Sequence, residues 1–178
     1  LRARVAETLA ANDLTEAYVR LSVTRGVQPG KLSPDAAVDP TVVVLVRELP
    51  RGGTSGERVW DGPARLRTVE TERIPDEAIP AAAKTHNYLN GILARLALRG
   101  SDADESLMCD SDGYVAEGAT SNVFFVHAGT LKTPARGPHL AGIPRKAALA
   151  AADSRGVPVP AHRATVADAA EPRPAGSQ

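Results

Sequence analysis

The residues best suited to chemistry in this sequence include one lysine in an unusual setting. Lys84 follows three alanines and precedes Thr85-His86-Asn87, just before an apolar helical pattern that starts at Tyr88. A lysine is a nucleophile only when its amine is deprotonated, which requires desolvation or a cationic neighbour. The alanines and the helix could supply an apolar, partly buried setting, although a solvated surface lysine explains the same pattern.

Glu117 lies in a second segment that mixes small polar and apolar residues. The run AEGATSNVFFV (116–126) places Glu117 at the end of a predicted strand, and Ser121 and Asn122 lead into the apolar run 123–126. Small polar residues between two apolar strands are typical of a turn that packs closely on a ligand. A plain hairpin with a solvated glutamate is the alternative.

Two further patterns supply candidate binding groups. GPHLAGIPRKAAL (137–149) places a glycine before a predicted helix, where backbone N–H groups can bind a phosphate. AYVRLSVTRG (17–26) places Tyr18 and Arg20 on one face of a predicted strand, where a phenol and a guanidinium could grip a carboxylate. An ordinary helix start and a half-exposed strand face explain the same patterns.

The elements that position these groups follow from hydrophobic periodicity in the first part of the chain. Residues 2–11 predict a helix, and the β-branched runs 16–26 and 41–49 predict strands. The Gly-rich stretch 51–57 predicts a linker between domains.

The second part of the chain alternates predicted strands with two predicted helices. Residues 64–74 predict a strand, and strands also flank the turn signals Asp112-Gly113 and Ala128-Gly129. A helix over 142–156 is expected to stop at Gly156, and the Pro/Ala-rich tail 157–178 is expected to be poorly ordered. The other helix, from Tyr88 to Leu98, carries apolar residues on one face, namely Leu89, Ile92, Leu93 and Leu96.

Composition limits the classes of function. Lys and Arg together number 21, as do Asp and Glu, so no basic excess predicts a nucleic-acid partner. No apolar run approaches the roughly 18–20 residues of a membrane span, so no membrane partner is expected. Cys109 is the only cysteine, which excludes an intramolecular disulfide and favours the cytoplasm. His86 and Cys109 have no second soft ligand at metal spacing, so no metal site is expected.

Three segments together resemble the signature of the fold-type IV, or class IV, pyridoxal-phosphate aminotransferases. KTHNYLNGILA (84–94), DGYVAEGATSNVFFV (112–126) and GPHLAGIPR (137–145) stand in the order and spacing of that family. The resemblance covers about 1–159 and implies an α+β, two-domain fold. The implied domains are a small α/β remnant, a linker and a large pseudo-barrel domain, over 1–50, 51–57 and 58–178.

The resemblance also implies a pyridoxal 5′-phosphate cofactor and a role for each matching residue. Lys84 would form the Schiff base with the cofactor aldehyde and move the proton between Cα and C4′. Glu117 would pair with the pyridine nitrogen, because a carboxylate there keeps the nitrogen protonated and the ring able to accept electrons. Tyr88 would bond the cofactor's phenolic oxygen through its hydroxyl. The remaining matches would line the cofactor (Ser121, Asn122), form its phosphate-binding turn (Gly142, Ile143, Pro144) and face the substrate (Tyr18, Arg20).

Departures from the family pattern predict a weakened or partial site. The phosphate turn reads Gly142-Ile143-Pro144-Arg145 where the family has Gly-Ile-Thr-Arg, and proline offers neither an N–H nor a hydroxyl. The family's phosphate-binding arginine would precede Leu1, and its Thr-containing closing loop is replaced by AAEPRPAGSQ (169–178). The chain is therefore expected to be either a fragment of a working enzyme or a degenerate relative that keeps only the fold.

The reaction that the resemblance implies is ping-pong transamination between an amino acid and 2-oxoglutarate, in a homodimer. Tyr18, Arg20 and the loop around TRGVQPGKLSP (24–34) favour branched-chain amino acids. The D-amino acid aminotransferases and the aminodeoxychorismate lyases are the alternatives, although the Arg-x-His and Arg-Gly-Tyr motifs typical of those groups are missing from this loop.

Overall fold

The chain divides into two units, Leu1–Gly62 and Pro63–Gln178. The predicted linker 51–57 and most of the loop 24–34 lie outside the described residues, so the domain limits at 50 and 58 stay predictions. The computed structural model describes residues 1–14, 17–27, 39–49, 63–127, 129–134, 138–160 and 163–170.

The first unit combines a helix with an antiparallel pair of strands. Helix α1 spans Arg2–Ala10, strand β1 spans Tyr18–Val23 and strand β2 spans Val42–Arg47, which confirms the elements predicted for this part of the chain. The strands pair with Tyr18 opposite Arg47. Their β-branched residues favour extended backbone, and the period of two places Tyr18 and Arg20 on one face of β1.

The core of the second unit forms around a three-stranded sheet. Strand β3 spans Leu66–Thr68, β4 spans Glu105–Cys109 and β5 spans Val115–Gly118. The central strand β4 runs parallel to β3 and antiparallel to β5. The turn between β4 and β5 contains Gly113 at φ +83°, as the Asp112-Gly113 signal predicts. The hydrophobic core residues of this sheet and of the loop beyond it are Leu107, Val115 and Val123.

Two strands of this unit differ in extent from their predictions. The strand predicted over 64–74 is limited to β3, although the N–H groups of Val69 and Arg73 still donate to carbonyls of β4, Leu107 O and Cys109 O. The apolar run 123–126 contributes Val123 to the core but leaves Val126 77% exposed. Strand β6 is Phe125–His127 and pairs antiparallel with β7, Thr130–Lys132. The barrel-like domain stays a prediction, since these strands form separate sheets.

Helix α2 packs on β4 through a face that the apolar pattern does not mark. It spans Leu89–Leu96 within the predicted helix. Its four large apolar side chains are between 41% and 66% exposed, whereas Ala94 is fully buried. Asn90, one turn before Ala94, donates to Glu72 O at 2.8 Å. The small Ala94 side chain allows close approach to the sheet, so the apolar stripe is not the buried face of this helix.

Helix α3, Ile143–Ser154, confirms the helix predicted over 142–156, and Gly156 follows it at φ +64°. Helix α4, Val166–Ala170, lies where the sequence predicted poor order, and that expectation is wrong for the described part of the tail. Thr165 and Asp168 form a reciprocal capping box, with the Thr165 N–H donating to Asp168 Oδ2 at 2.8 Å and the Asp168 N–H donating to Thr165 Oγ1 at 3.3 Å.

The segment before α4 is held against the hairpin of β4 and β5. Arg163 Nη2 donates to Asp110 Oδ2 at 2.8 Å and to Asp112 Oδ2 at 2.9 Å. Its guanidinium lies 4.0 Å from the ring centroid of Tyr114. These contacts account for the order of residues 163–170 in the Pro/Ala-rich tail.

Within the described ranges, no helix combines the length and apolar character that crossing a membrane requires.

Candidate active site

Lys84 lies in the loop that leads into α2, with an exposed side chain. Ala81 is buried and its N–H donates to Asp76 Oδ1 at 2.7 Å, but residues 82–87 are exposed. The side chain of Lys84 is therefore solvated, which is the alternative that the sequence pattern also allowed, rather than partly buried among apolar residues. Lys84 instead borders two neighbouring cavities within the Pro63–Gln178 unit.

The smaller cavity brings together five of the residues predicted to bind the cofactor. Its volume is about 140 Å³. Tyr88, at the start of α2, stacks its half-exposed ring on His86 with centroids 5.8 Å apart. The predicted residues that line this cavity are Lys84, Tyr88, Glu117, Ser121 and Asn122.

The larger cavity connects the same lysine to the start of α3. Its volume is about 520 Å³. All the residues predicted to bind the cofactor therefore line one or both cavities, and Lys84 is common to the two. The predicted residues that line the larger cavity are Lys84, Ser121, Asn122, Gly142, Ile143 and Pro144.

Glu117 is a buried carboxylate whose two oxygens already accept hydrogen bonds. It is 9% exposed. Arg73 Nε donates to Oε1 at 2.7 Å, and the Leu140 N–H donates to Oε2 at 2.9 Å. Asn90 Oδ1 in turn accepts from Arg73 Nη1 at 3.1 Å. Each carboxylate oxygen has a further lone pair, so Glu117 can accept another donor from the cavity in a fixed orientation.

Arg73 is a site residue that the sequence prediction missed. It lies in the stretch 64–74, where the apolar pattern predicts only a strand, and the partner Glu117 is 44 positions away. Its Nη1 bond to Asn90 fixes the guanidinium on α2. The Leu140 N–H was missed because a backbone donor carries no signal in the residue type.

The start of α3 lines the larger cavity with a helix N-terminus. Gly142 is the N-cap residue, and its carbonyl accepts the Lys146 N–H at 3.1 Å. Pro144 has no N–H, so the first-turn amides that can face an anion are those of Ile143 and Arg145. The helix N-terminus carries partial positive charge, which favours a phosphate or carboxylate there.

Gly142 is required by a close approach rather than by its backbone angles. Its φ of −62° is accessible to any residue. A Cβ at this position would overlap Asn122 Oδ1. Asn122 is held there because its Nδ2 donates to Leu140 O at 2.8 Å. Asn122 and Gly142 thus form a fixed wall of the larger cavity.

The predicted substrate residues belong to the Leu1–Gly62 unit. The Arg47 guanidinium lies 4.5 Å from the ring centroid of Tyr18, and Arg20 is exposed on β1. Tyr18 and Arg20 thus share a strand, as predicted.

Two titratable groups outside the cavities, Cys109 and Arg163, have pKa values shifted by their surroundings. Burial raises the pKa of the Cys109 thiol, and the nearby Asp110 charge adds to the increase. Hydrogen bonds to Asp110 and Asp112 raise the pKa of Arg163. In the part of the chain that the structure describes, no group of three or more His, Cys, Asp or Glu residues could hold a metal ion.

Comparison with known proteins identifies the family. The family model described as amino-transferase class IV matches residues 1–172. The chain belongs to the class IV aminotransferases. It is 40% identical over 130 residues to a Methanocaldococcus jannaschii protein whose name places it among the branched-chain-amino-acid aminotransferases. It is 31% identical over 155 residues to the branched-chain-amino-acid aminotransferase of Salmonella typhimurium.

This class IV aminotransferase chain spans about half the length of the curated relatives it matches. The matched regions cover 73% and 86% of the chain but 43% and 50% of the M. jannaschii and S. typhimurium proteins. A crystal structure of the T.th. branched-chain amino acid aminotransferase with N-(5′-phosphopyridoxyl)-L-glutamate is similar, with a TM-score of 0.77 and 31% identity. The match covers 92% of this chain and 52% of that chain, so the α+β fold is that of the family.

Proposed function

We propose that this class IV aminotransferase binds pyridoxal 5′-phosphate and transfers the amino group of a branched-chain amino acid to 2-oxoglutarate. The observation that carries the proposal is that an amine, a buried carboxylate and a helix N-terminus face one pair of adjoining cavities. These are the three groups that the cofactor's aldehyde, ring nitrogen and phosphate require. The names of the relatives support the substrate class.

Lys84 is the proposed catalytic residue. When bound, pyridoxal phosphate supplies an electron-accepting ring that allows an amino group to pass between an amino acid and a 2-oxo acid. Lys84 Nζ would hold the cofactor covalently and, as a free amine, take and return the proton at the substrate Cα. Its position on the border of both cavities is compatible with reaching the cofactor and the substrate.

Glu117 is the proposed partner of the ring nitrogen. Its carboxylate is oriented by Arg73 and the Leu140 N–H and retains lone pairs for an N–H donor from the cavity. The Arg73 guanidinium reduces the cost of burying this carboxylate charge. The Tyr88 hydroxyl would donate a hydrogen bond to the phenolic oxygen of the cofactor.

The phosphate is proposed to lie at the start of α3. The Ile143 and Arg145 amides, the Ser121 hydroxyl and the helix dipole would neutralise it, while Pro144 contributes no donor. The wall formed by Asn122 and Gly142 would limit its position. The cofactor would thus be fixed at its aldehyde, ring and phosphate ends.

Tyr18 and Arg20 are the proposed substrate residues, and a homodimer in the cytoplasm is the proposed working form. Arg20 supplies an exposed positive charge suited to the carboxylates of amino acids and 2-oxo acids. The T.th. enzyme was crystallised with a phosphopyridoxyl derivative of L-glutamate, which supports 2-oxoglutarate as the amino-group acceptor.

The proposal is tested by supplying the chain with pyridoxal phosphate, L-leucine and 2-oxoglutarate and measuring glutamate and 4-methyl-2-oxopentanoate. Equal amounts of the two products that disappear in Lys84→Ala would support it. Pyruvate release from aminodeoxychorismate in the absence of a 2-oxo acid would instead support the lyase. Amino transfer to 2-oxoglutarate from D-alanine but not from L-leucine would support the D-amino acid aminotransferase. Bound cofactor without any of these products would contradict the proposed reaction.

A further inference from the structure

Glu105 is a second buried carboxylate, and it packs against the turn that lines the candidate site. It is the first residue of β4 and is 6% exposed. Its Oε2 accepts from Thr120 Oγ1 at 2.6 Å and from Ser121 Oγ at 3.4 Å. Its Oε1 accepts from the Ser106 N–H at 2.9 Å and lies 3.4 Å from Arg95 Nη1. Both oxygens therefore face only donors.

Two of the hydroxyl partners of Glu105, those of Thr120 and Ser121, belong to the turn that lines both cavities with Lys84. The Gly118 N–H donates to Ser121 O at 2.7 Å and closes this turn. A Cβ on Gly118 would overlap Ser121 Oγ and lie 3.2 Å from Glu105 Cγ. The turn, which directly follows Glu117, is therefore packed on the Glu105 side chain with no space between them.

We propose that Glu105 is a positioning residue that holds the Gly118–Ser121 turn in the shape that binds the cofactor phosphate. This inference rests on the proposed function for its ligand. The short bond to Thr120 anchors the turn, because hydrogen bonds to a charged acceptor are the strong ones. The long bond to Ser121 leaves that hydroxyl able to rotate and donate to a phosphate oxygen.

The arrangement requires a carboxylate rather than an amide. Glutamine at position 105 would place its NH₂ either against Thr120 and Ser121 or against the Ser106 N–H and Arg95. Thr120 could turn its hydroxyl to accept, but it would then lose its strong acceptor and its fixed orientation. Arg95 offsets the negative charge of Glu105, so the carboxylate does not repel a nearby phosphate.

The experiment compares the parent chain with Glu105→Gln, Thr120→Val and the double variant. Glu77→Gln, at an exposed glutamate of the same unit, is the matched control. Hydrogen exchange of the ligand-free chains reports the order of the turn, with α3 as an internal reference. The dissociation constant for pyridoxal phosphate reports the consequence for the site.

We expect Glu105→Gln to accelerate exchange at 118–122 but not in α3 and to raise the cofactor dissociation constant about tenfold, as expected for a lost hydrogen bond to a charged group. The double variant should be no worse than the stronger single one, because both remove the same contact. Exchange at 118–122 and a dissociation constant that match the parent and Glu77→Gln would overturn the inference. Thr120→Val removes the bond from the other side and decides the question if Glu105→Gln does not fold.

The outcome separates this inference from the proposed function. If the parent chain traps no cofactor on Lys84 after borohydride reduction, the proposed function fails and the phosphate role of the turn fails with it. Accelerated exchange at 118–122 would still support positioning of the turn by Glu105. Unchanged exchange would overturn the positioning itself, whatever the cofactor result.

Discussion

At the residue scale, a few side chains determine what the two cavities can bind. Glu117 presents a carboxylate held by hydrogen bonds from Arg73 and the Leu140 N–H. The Asn122 side chain is held by Leu140 O and packs closely against Gly142. Lys84 is the solvent-exposed member of this set. The site therefore combines a carboxylate and an amide that are held by hydrogen bonds with an exposed amine at the border of the cavities.

Pro144→Thr is expected to tighten cofactor binding. Threonine restores an N–H and a hydroxyl at the second position of α3, and a hydrogen bond to a charged partner is worth roughly 1.5–3 kcal/mol. The dissociation constant for pyridoxal phosphate, measured by absorbance titration, should fall by about tenfold or more if one such bond forms. Pro75→Thr, outside both cavities, is the control, and an unchanged constant for Pro144→Thr would contradict a phosphate at this turn.

The Cys109 thiol is expected to titrate at a higher pH in the folded chain than in the denatured chain. Because the pKa is raised in the folded chain, the native state keeps the thiol proton at pH values where the unfolded state has lost it. The contribution of Cys109 to the free energy of unfolding therefore falls as pH rises from the unfolded pKa to the folded pKa. Alkylation rates followed against pH, with and without denaturant, measure both midpoints. Since Cys109 is the only cysteine, the signal has one source, and equal midpoints would show that burial does not shift it.

At the element scale, the sequence predicted the helices and most strands because their periodicity is local. It missed which face of α2 is buried, because that choice depends on how closely Ala94 can approach β4. It missed α4 because a five-residue helix lacks a periodic pattern, although Thr165 and Asp168 stand at capping-box spacing. The members of the site were predicted from the family resemblance, whereas Arg73 and Glu105 became visible only through contacts across 44 and 15 positions.

The two ends of α3 provide a matched pair of glycine substitutions. Gly156→Ala is expected to cost about 1 kcal/mol of unfolding free energy because φ is positive there, without changing cofactor affinity. Gly142→Ala has no φ penalty but displaces Asn122 from the cavity wall, so it should weaken cofactor binding. Thermal or urea unfolding and a cofactor titration on both variants test the contrast. Equal effects on affinity would show that the Asn122 wall does not bound the cofactor.

At the scale of the whole molecule, the candidate residues are distributed over two units. Every proposed cofactor residue lies in Pro63–Gln178, whereas Tyr18 and Arg20 lie in Leu1–Gly62. The Gly-rich stretch 51–57 predicts a linker between two domains, and this linker stays a prediction because it lies outside the described residues. Because the chain spans about half the length of the curated relatives it matches, the activity of this chain on its own is a proposal that requires a direct assay.

Arg20→Ala is expected to separate substrate binding from cofactor binding. The cofactor dissociation constant should not change, because no proposed cofactor residue lies in the unit of Arg20. The KM for 2-oxoglutarate should rise about tenfold or more, as for the loss of a charge-assisted hydrogen bond. Arg2→Ala, on α1 of the same unit, is the control, and an unchanged KM would remove Arg20 from the substrate site.

The most direct test of the account is to find where the cofactor attaches. The purified chain is incubated with pyridoxal phosphate, reduced with borohydride and digested, and the modified peptide is mapped by mass spectrometry. We expect a single modified residue, Lys84, and no modification in Lys84→Arg. Modification of Lys31, Lys132 or Lys146 in its place, or no stable adduct at all, would contradict the assignment of Lys84 as the cofactor-binding residue.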